Sequence, residues 1–157
     1  MNNIINYIKG DATNPTEPGN KIIVHVCNDV GGWGKGFVLA ISKRWSEPES
    51  KYREWHKSGV NFNLGEVQFV QVDHERYVAN LIGQHKLNKD ENGNPPIRYE
   101  AILQGMIKVA DYAKAINASV HMPRIGCGLA GGTWDIIEPI LIETLINKNV
   151  NVFVYDF

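Results

Sequence analysis

The sequence predicts a three-layer α/β/α sandwich around a central mixed, mainly parallel sheet. Segments typical of β-strands alternate with segments typical of helices along the 157 residues, which is the pattern of an α/β fold. The run 21–27 is apolar on both faces, as expected for a strand buried inside a parallel sheet. A chain of this length forms one domain, so we expect a single domain over 1–157.

The first half of the chain predicts two strands followed by two helices. Residues 4–8 form a short apolar strand that ends at a Gly-Asp turn, and 21–27 form the buried strand. An amphipathic pattern over 36–45 predicts a helix, and a second helix follows over 47–57, where Ser-Gly ends it.

The middle of the chain predicts a pair of strands and a long helix. Strands over 66–72 and 76–82 are separated by a short turn of charged residues. Residues 86–96 are polar and rich in Asn and Pro, which predicts an exposed loop. Over 99–116 apolar residues recur every three or four positions, so one stripe of this helix faces a core.

The last part of the chain predicts a strand, a helix and a final strand. A short β-branched run marks a strand over 119–122, and a helix over 132–146 follows a glycine-rich loop. The chain ends with a strand over 150–155. Ligands of such sheets bind beyond the carboxyl ends of the strands, and three of these predicted ends carry polar or glycine-rich segments.

The composition excludes several classes of partner. Sixteen basic and 17 acidic residues give a net charge of −1, which is no electrostatic footprint for nucleic acid or a membrane surface. No apolar run is long enough to span a bilayer, and the first residues lack the features of a secretory signal. Cys27 and Cys127 are read as small buried thiols rather than a disulfide pair. We expect a cytoplasmic monomer.

Two glycine-rich loops stand where a strand leads into a helix. The first loop contains Gly31, Gly32, Gly34 and Gly36, and the second has the sequence RIGCGLAGG over 124–132. Such loops bring backbone N–H groups onto phosphate oxygens at helix N-termini. Two of them facing each other suit a diphosphate.

Neither loop meets all the requirements of a standard nucleotide-binding motif. Residues 126–131 match G-x-G-x-x-G, but the motif stands near the end of the chain and no acidic residue follows at the required place. The first loop has Asp29 and Gly36 where a P-loop needs glycine and Ser or Thr. We therefore reject a Rossmann site and a P-loop.

The order of these segments resembles the macro domain family. Gly10-Asp11 after the first strand, the strand and glycine loop over 22–36, and PRIGCGLAGG over 123–132 occur in the order that this family uses. The likeness covers about 4–157 and is strongest for the subgroup that contains the yeast-type ADP-ribose-1″-phosphate phosphatase and the terminal ADP-ribose glycohydrolase. It implies a macro domain fold that binds ADP-ribose.

The resemblance also implies a role for individual residues. It assigns adenine recognition to Asp11 and the distal ribose to Asn28, places the diphosphate between the two loops, and puts Tyr155 beside the adenosine. The ligand-binding residues expected in this way are Asp11, Ala12, Asn28, Gly31, Gly32, Trp33, Gly34, Lys35, Gly36, Ile125, Gly126, Cys127, Gly128, Leu129, Ala130 and Tyr155.

Each assignment has a structural alternative. The alternative for Asp11, which is less favoured than the ligand role, is to cap the turn after Gly10. For Asn28 an Asx-turn that leads into the first loop is as well supported as the ligand role. Tyr155 is typical of a core residue on its strand. Lys35 can steady a terminal phosphate or remain a solvated loop charge. Gly128 is expected either to adopt a positive φ or to lie against the ligand.

The catalytic candidates are His25, Asn28 and Asp29. The segment HVCN…GGWGKG resembles the phosphatase, which makes His25 the candidate that the family implies; the alternative is a hydrogen-bonded core histidine. Asp29 ends its strand and is placed to orient a water. The glycohydrolase's lysine–aspartate pair is not reproduced, because Gln84 and Ala130 occupy those positions.

Three functions remain open on this sequence. The resemblance favours hydrolysis of the terminal phosphate of ADP-ribose 1″-phosphate. The alternatives are a hydrolase of ADP-ribosyl or O-acetyl-ADP-ribose esters and a non-catalytic ADP-ribose-binding module. ADP-ribose or a derivative is the expected partner, with ADP-ribosylated protein as a further one. The five histidines are scattered without metal-ligand spacing, so metal-independent chemistry without a cofactor is expected.

Overall fold

The computed structural model describes residues 4–157 and contains one six-stranded mixed sheet. The strands are β1 (Asn6–Lys9), β2 (Lys21–Asn28), β3 (Val67–Gln71), β4 (Arg76–Gln84), β5 (Ser119–Met122) and β6 (Val152–Asp156). Their order across the sheet is β1-β6-β5-β2-β4-β3. All neighbouring strands are parallel except β3 and β4, which are antiparallel. The predicted mainly parallel sheet is confirmed.

Helices cover both faces of the sheet. They are α1 (Phe37–Arg44), α2 (Glu47–Ser58), α3 (Tyr99–Ile116) and α4 (Trp134–Thr144). On β2, Ile22 and Val24 belong to a core shared with α3 and α4, whereas Ile23 belongs to a second core with α1 and α2. Successive side chains of a strand point to opposite faces, so these two cores establish the three layers. Across residues 4–157, no helix combines the length and apolar character needed to cross a membrane.

The observed ends of several elements differ from the predicted ones. Strand β1 begins at Asn6 rather than residue 4, because its register pairs only Asn6–Lys9 with β6. The helix predicted over 132–146 begins at Trp134 and ends at Thr144, and a 3₁₀ turn follows over 146–148. Asn149 then takes a left-handed conformation that redirects the chain into β6.

Parallel pairing brings five strand ends to one edge of the sheet. In spatial order these are the carboxyl ends of β1, β6, β5, β2 and β4. Strands lie about 4.8 Å apart, so the four intervals place the ends of β1 and β4 roughly 19 Å apart. This edge carries both glycine loops, and we call it the groove.

Candidate functional site

An apolar cavity of about 240 Å³ opens at the β1–β6 end of the groove. We call it the first cavity. Its polar lining is small, and two of its walls are the aromatic rings of Phe37 and Tyr155. The residues around it are Gly10, Asp11, Ala12, Phe37, Ala40, Pro123, Tyr155 and Phe157. A flat apolar group fits such walls, with Asp11 as the one Asp or Glu side chain at the edge.

Asp11 forms the turn that the sequence analysis gave as its alternative role. Its Oδ1 accepts hydrogen bonds from the Thr13 backbone N–H at 2.8 Å and from the Thr13 hydroxyl at 2.7 Å. Its Oδ2 accepts one from Arg44 at 3.1 Å. Burial opposes ionisation, but these hydrogen bonds outweigh it and lower the pKa of Asp11. The side chain stays 39% exposed, so this anionic carboxylate can still meet a ligand.

Tyr155 serves as both a core residue and a wall of the first cavity. It is 7% exposed, and its hydroxyl lies 2.7 Å from Nδ1 of His121. Burial raises the pKa of Tyr155 to about 12, so the phenol stays neutral. The ring is therefore fixed by His121 before any ligand arrives.

Asn28 organises the first glycine loop. Its Oδ1 accepts from the N–H groups of Val30 at 3.0 Å and Gly32 at 2.9 Å, and its Nδ2 donates to the Gly32 carbonyl at 2.9 Å. The Tyr52 hydroxyl lies 2.9 Å from the same Oδ1. These contacts are the Asx-turn alternative, and they occupy the amide oxygen that a ribose hydroxyl would use.

The side chain of Trp33 faces the core rather than the groove. It is 5% exposed, and its Nε1 donates to the Ser42 hydroxyl at 2.8 Å. Only its backbone can therefore meet a ligand. Gly31 has a positive φ of 79°, and a Cβ there would lie 2.3 Å from Nδ1 of His56. This glycine is required by the fold of the loop.

The second loop owes its shape to Gly126. Its φ is 70°, and a Cβ there would lie 2.4 Å from Cδ1 of Ile97. Ile125 and Ala130 are 3% and 5% exposed, so their side chains belong to the core. The Ala130 carbonyl accepts from the Ile97 N–H at 3.0 Å, which fixes the end of the loop.

Gly128 does not have the positive φ that the sequence left open. It is absent from the positive-φ glycines among residues 4–157, and a Cβ there would meet no atom within 4 Å. The fold therefore has no need of glycine at this position. The space above this backbone is open, so a ligand contact at Gly128 stays a prediction.

Both loops present free backbone donors. Within residues 4–157, no hydrogen bond uses the N–H of Gly128, Leu129 or Ala130, and the same holds for Gly34, Lys35 and Gly36. A Cβ on Gly36 would lie 3.5 Å from Cδ1 of Leu129, so the two loops approach each other across the groove. Consecutive free N–H groups form a concavity that binds anions.

A second cavity, of about 450 Å³, lies at the β4 end of the groove. Its lining is Val30, His85, Lys86, Leu87, Asn88, Lys89, Asp90, Glu91 and Arg98. The predicted exposed loop 86–96 forms most of this cavity, so it is part of the site. No role for this loop was predicted from the sequence, although His85 and Lys86 directly follow β4, which ends at this edge.

Asp29 is paired with His85, a residue that lines this cavity and that the prediction missed. Its Oδ2 lies 2.6 Å from Nδ1 of His85, and its Oδ1 accepts from the Lys86 N–H at 2.8 Å. Strands β2 and β4 are neighbours, and their ends bring the two side chains together. A pair 56 residues apart along the chain gives no local sequence signal.

His25 lies inside the core. It is 2% exposed, its Nε2 lies 2.5 Å from Oδ1 of Asn80, and its ring contacts Trp33 edge to face at a centroid distance of 5.2 Å. Burial lowers the pKa of His25 to about 4. This placement favours the core alternative, and a catalytic role for His25 stays an untested prediction.

The cysteines differ from each other in burial. Cys27 is buried as expected, whereas Cys127 is only half-buried on the second loop. Burial raises the pKa of both thiols, which disfavours a thiolate nucleophile. Among residues 4–157, no three His, Cys, Asp or Glu side chains come together as a metal site.

Known proteins resemble this chain over almost its whole length. A Bacteroides thetaiotaomicron protein of known structure is 59% identical and superposes with a TM-score of 0.97, covering 98% of both chains. A macrodomain protein from Streptomyces coelicolor is 52% identical with a TM-score of 0.88, covering 98% of this chain and 99% of its own. No protein-family model matches the chain.

Curated relatives are more distant. The ADP-ribose 1″-phosphate phosphatase of Candida albicans is 26% identical, covering 96% of this chain and 99% of that protein. The DNA ADP-ribosyl glycohydrolase of Mycobacterium tuberculosis is 26% identical over 89% of this chain and 38% of its own length. The mouse chromodomain-helicase-DNA-binding protein 1-like is 31% identical over 98% of this chain, which spans only 18% of that relative. Taken with the sheet order and the two loops, these likenesses establish that the chain belongs to the macro domain family.

Proposed function

We propose that the protein binds ADP-ribose along the groove and hydrolyses the terminal phosphate of ADP-ribose 1″-phosphate. The observation that carries the proposal is the order of the groove: an apolar cavity, two glycine loops and a charged cavity follow one another along the sheet edge. A base, a diphosphate and a phosphorylated sugar follow in the same order in this ligand. The yeast relatives named for this phosphatase activity support the choice of substrate.

The adenosine occupies the first cavity in this proposal. Adenine packs between Phe37 and Tyr155, and the exposed part of the Asp11 carboxylate accepts from its amino group. An ionised carboxylate has about four lone-pair sites, so the Thr13 and Arg44 hydrogen bonds leave one for the base. Asp11 thus serves the turn and the ligand together.

The diphosphate lies between the two loops. Its charge is met by the free N–H groups of Gly128, Leu129 and Ala130 on one side, and of Gly34–Gly36 on the other. Because the chain carries a net charge of only −1, these local dipoles rather than a long-range field hold the anion. The second loop leads into α4 and the first into α1, so both helix N-termini add to the attraction.

The terminal phosphate lies in the second cavity. Lys86, Lys89 and Arg98 line it. Two acidic residues, Asp90 and Glu91, line it as well. Three cationic side chains against two carboxylates leave the lining net positive, which favours a phosphate.

Incubation of the purified protein with ADP-ribose 1″-phosphate and, separately, with an ADP-ribosylated protein tests the proposal. We expect inorganic phosphate and ADP-ribose in equal amounts from the first substrate, and no phosphate from a Gly128→Glu variant. Release of ADP-ribose from the second substrate alone would replace the phosphatase by a glycohydrolase, the activity for which the mycobacterial relative is named. Binding without either reaction would leave an ADP-ribose-binding module.

A further inference from the structure

We infer that Asp29 and His85 form the acid–base pair of the second cavity, with His85 as the catalytic residue and Asp29 as its positioning residue. The inference rests on the proposed phosphatase function and names the side chains that carry out the reaction. It replaces His25 by a histidine on a neighbouring strand end, and it gives Asp29 a partner.

The pair is held from several sides. The distance from Asp29 Oδ2 to His85 Nδ1 is 2.6 Å, and the Lys86 N–H fixes the other carboxylate oxygen at 2.8 Å. The Asp29 N–H donates to the Gln84 carbonyl at 3.1 Å, and the His85 N–H donates to the Pro96 carbonyl at 2.8 Å. These hydrogen bonds hold the backbone of both residues, so the contact between the two side chains is already formed without a ligand.

Exposure divides the roles between the two side chains. The Asp29 carboxylate is 16% exposed, whereas the His85 imidazole is 42% exposed and lines the second cavity. Among the described residues, no protein group bonds to Nε2 of His85. A carboxylate beside Nδ1 holds the ring proton on that nitrogen, so Nε2 is the basic atom and faces the substrate.

The reaction balances with water as the only co-reactant. A water oxygen attacks the phosphorus of ADP-ribose 1″-phosphate while Nε2 of His85 takes a proton from that water. The bond between phosphorus and the C1″ oxygen breaks, and its electron pair stays on that oxygen. The imidazolium then returns the proton to the C1″ oxygen, which yields ADP-ribose and inorganic phosphate and restores His85. Asp29 stabilises the transient imidazolium without being protonated.

The other candidates are less suited to this step. His25 Nε2 is already bonded to Asn80, and the ring is 2% exposed. The Asn28 amide oxygen is occupied by the first loop. Within residues 4–157, His85 is the histidine that combines a free ring nitrogen, a carboxylate partner and a place in a cavity of the groove.

The test measures phosphate release and ADP-ribose affinity for His85→Ala, His85→Gln and Asp29→Asn. Both His85 variants are expected to lower kcat by about 10²–10⁴-fold, with a much smaller loss of ADP-ribose affinity, of no more than about tenfold, because His85 is one of nine residues that line the second cavity. Asp29→Asn keeps an acceptor for the Lys86 N–H and is expected to lower kcat about 10–100-fold. Added imidazole is expected to restore part of the activity of His85→Ala. The matched control is His74→Ala, since His74 is 85% exposed and lines neither cavity.

The outcomes separate this inference from the proposed function. A wild-type protein that binds ADP-ribose but releases no phosphate rejects both. An active wild type with His85 variants within about threefold of its kcat rejects the acid–base pair and leaves the phosphatase in place. If activity, affinity and melting temperature fall together and imidazole does not restore activity, the pair only stabilises the loop 86–96. That result also rejects the inference.

Discussion

Replacing Gly128 by glutamate tests whether the diphosphate lies against the second loop. A Cβ at this position meets no protein atom within 4 Å, and the backbone φ is not positive. The substitution therefore introduces neither a clash nor backbone strain. We expect a change in the free energy of unfolding of no more than about 0.5 kcal/mol, as for other exposed positions.

The expected loss of affinity follows from the added charge. Two unit charges about 4 Å apart near a protein surface interact with about 4 kcal/mol at an effective dielectric constant of about 20. Since about 1.4 kcal/mol corresponds to tenfold in Kd, a glutamate beside the diphosphate weakens ADP-ribose binding roughly a thousandfold. A micromolar complex would become millimolar or weaker.

Calorimetry with ADP-ribose measures the affinity, and thermal unfolding measures the stability of the same samples. Gly128→Gln is the matched control, because it adds the same bulk without the charge and should lose less affinity. Gly126→Ala, in contrast to Gly128→Glu, should lower the stability of the fold. The positive φ of Gly126 and the 2.4 Å approach of the added Cβ to Ile97 should lower the free energy of unfolding by about 2–5 kcal/mol in all. A Gly128→Glu variant that binds within threefold of the wild type would refute the placement of the diphosphate.

Three further predictions concern Asp11, His25 and the pH dependence of stability. Asp11→Ala should weaken ADP-ribose binding by about 1–3 kcal/mol, and it should also lower the denaturant midpoint because Thr13 loses two hydrogen bonds; unchanged binding would leave Asp11 a turn residue only. His25→Ala should destabilise the fold by about 1–3 kcal/mol, since Asn80 Oδ1 loses its partner, while phosphate release per folded molecule stays at the wild-type level; a specific loss of kcat would restore His25 to the mechanism. Burial in the folded protein lowers the pKa of His25 to about 4 and that of His121 to about 3, below the value of about 6.5 in the unfolded chain. The unfolded state therefore binds more protons as the pH falls, and each histidine should cost about 2 kcal/mol of stability between pH 8 and pH 5; urea unfolding with equal midpoints at both values would contradict it.

The order and type of the elements could be predicted because their signals are local. The run 21–27 is apolar on both faces, and it forms the central strand β2. The stripe over 99–116 repeats at helical spacing and forms α3 with the predicted bounds. The first and last residues of some elements differed from the prediction. The extent of β1 depends on its register with β6, and such pairing between distant segments leaves no local pattern.

The position of the two glycine loops could be predicted from the sequence, whereas the burial and pairing of the side chains around them could not. Glycine loops after buried strands pointed to the groove, and the resemblance supplied its ligand. Burial and pairing of side chains depend on which strands become neighbours. The adjacency of β2 and β4 brings Asp29 to His85, and the packing of α1 and α2 on β2 encloses Trp33. Neither outcome follows from spacing along the chain.

A calorimetric titration of the wild-type protein with ADP-ribose, ADP and ribose 5-phosphate tests the central claim most directly. A groove that holds a base, a diphosphate and a distal sugar at successive strand ends predicts a Kd for ADP-ribose in the micromolar range, near −8 kcal/mol. ADP should bind more weakly because it leaves the second cavity empty, and ribose 5-phosphate should bind far more weakly because it lacks the base and half of the diphosphate. No heat with ADP-ribose, or equal affinity for all three ligands, would contradict the assignment of the groove.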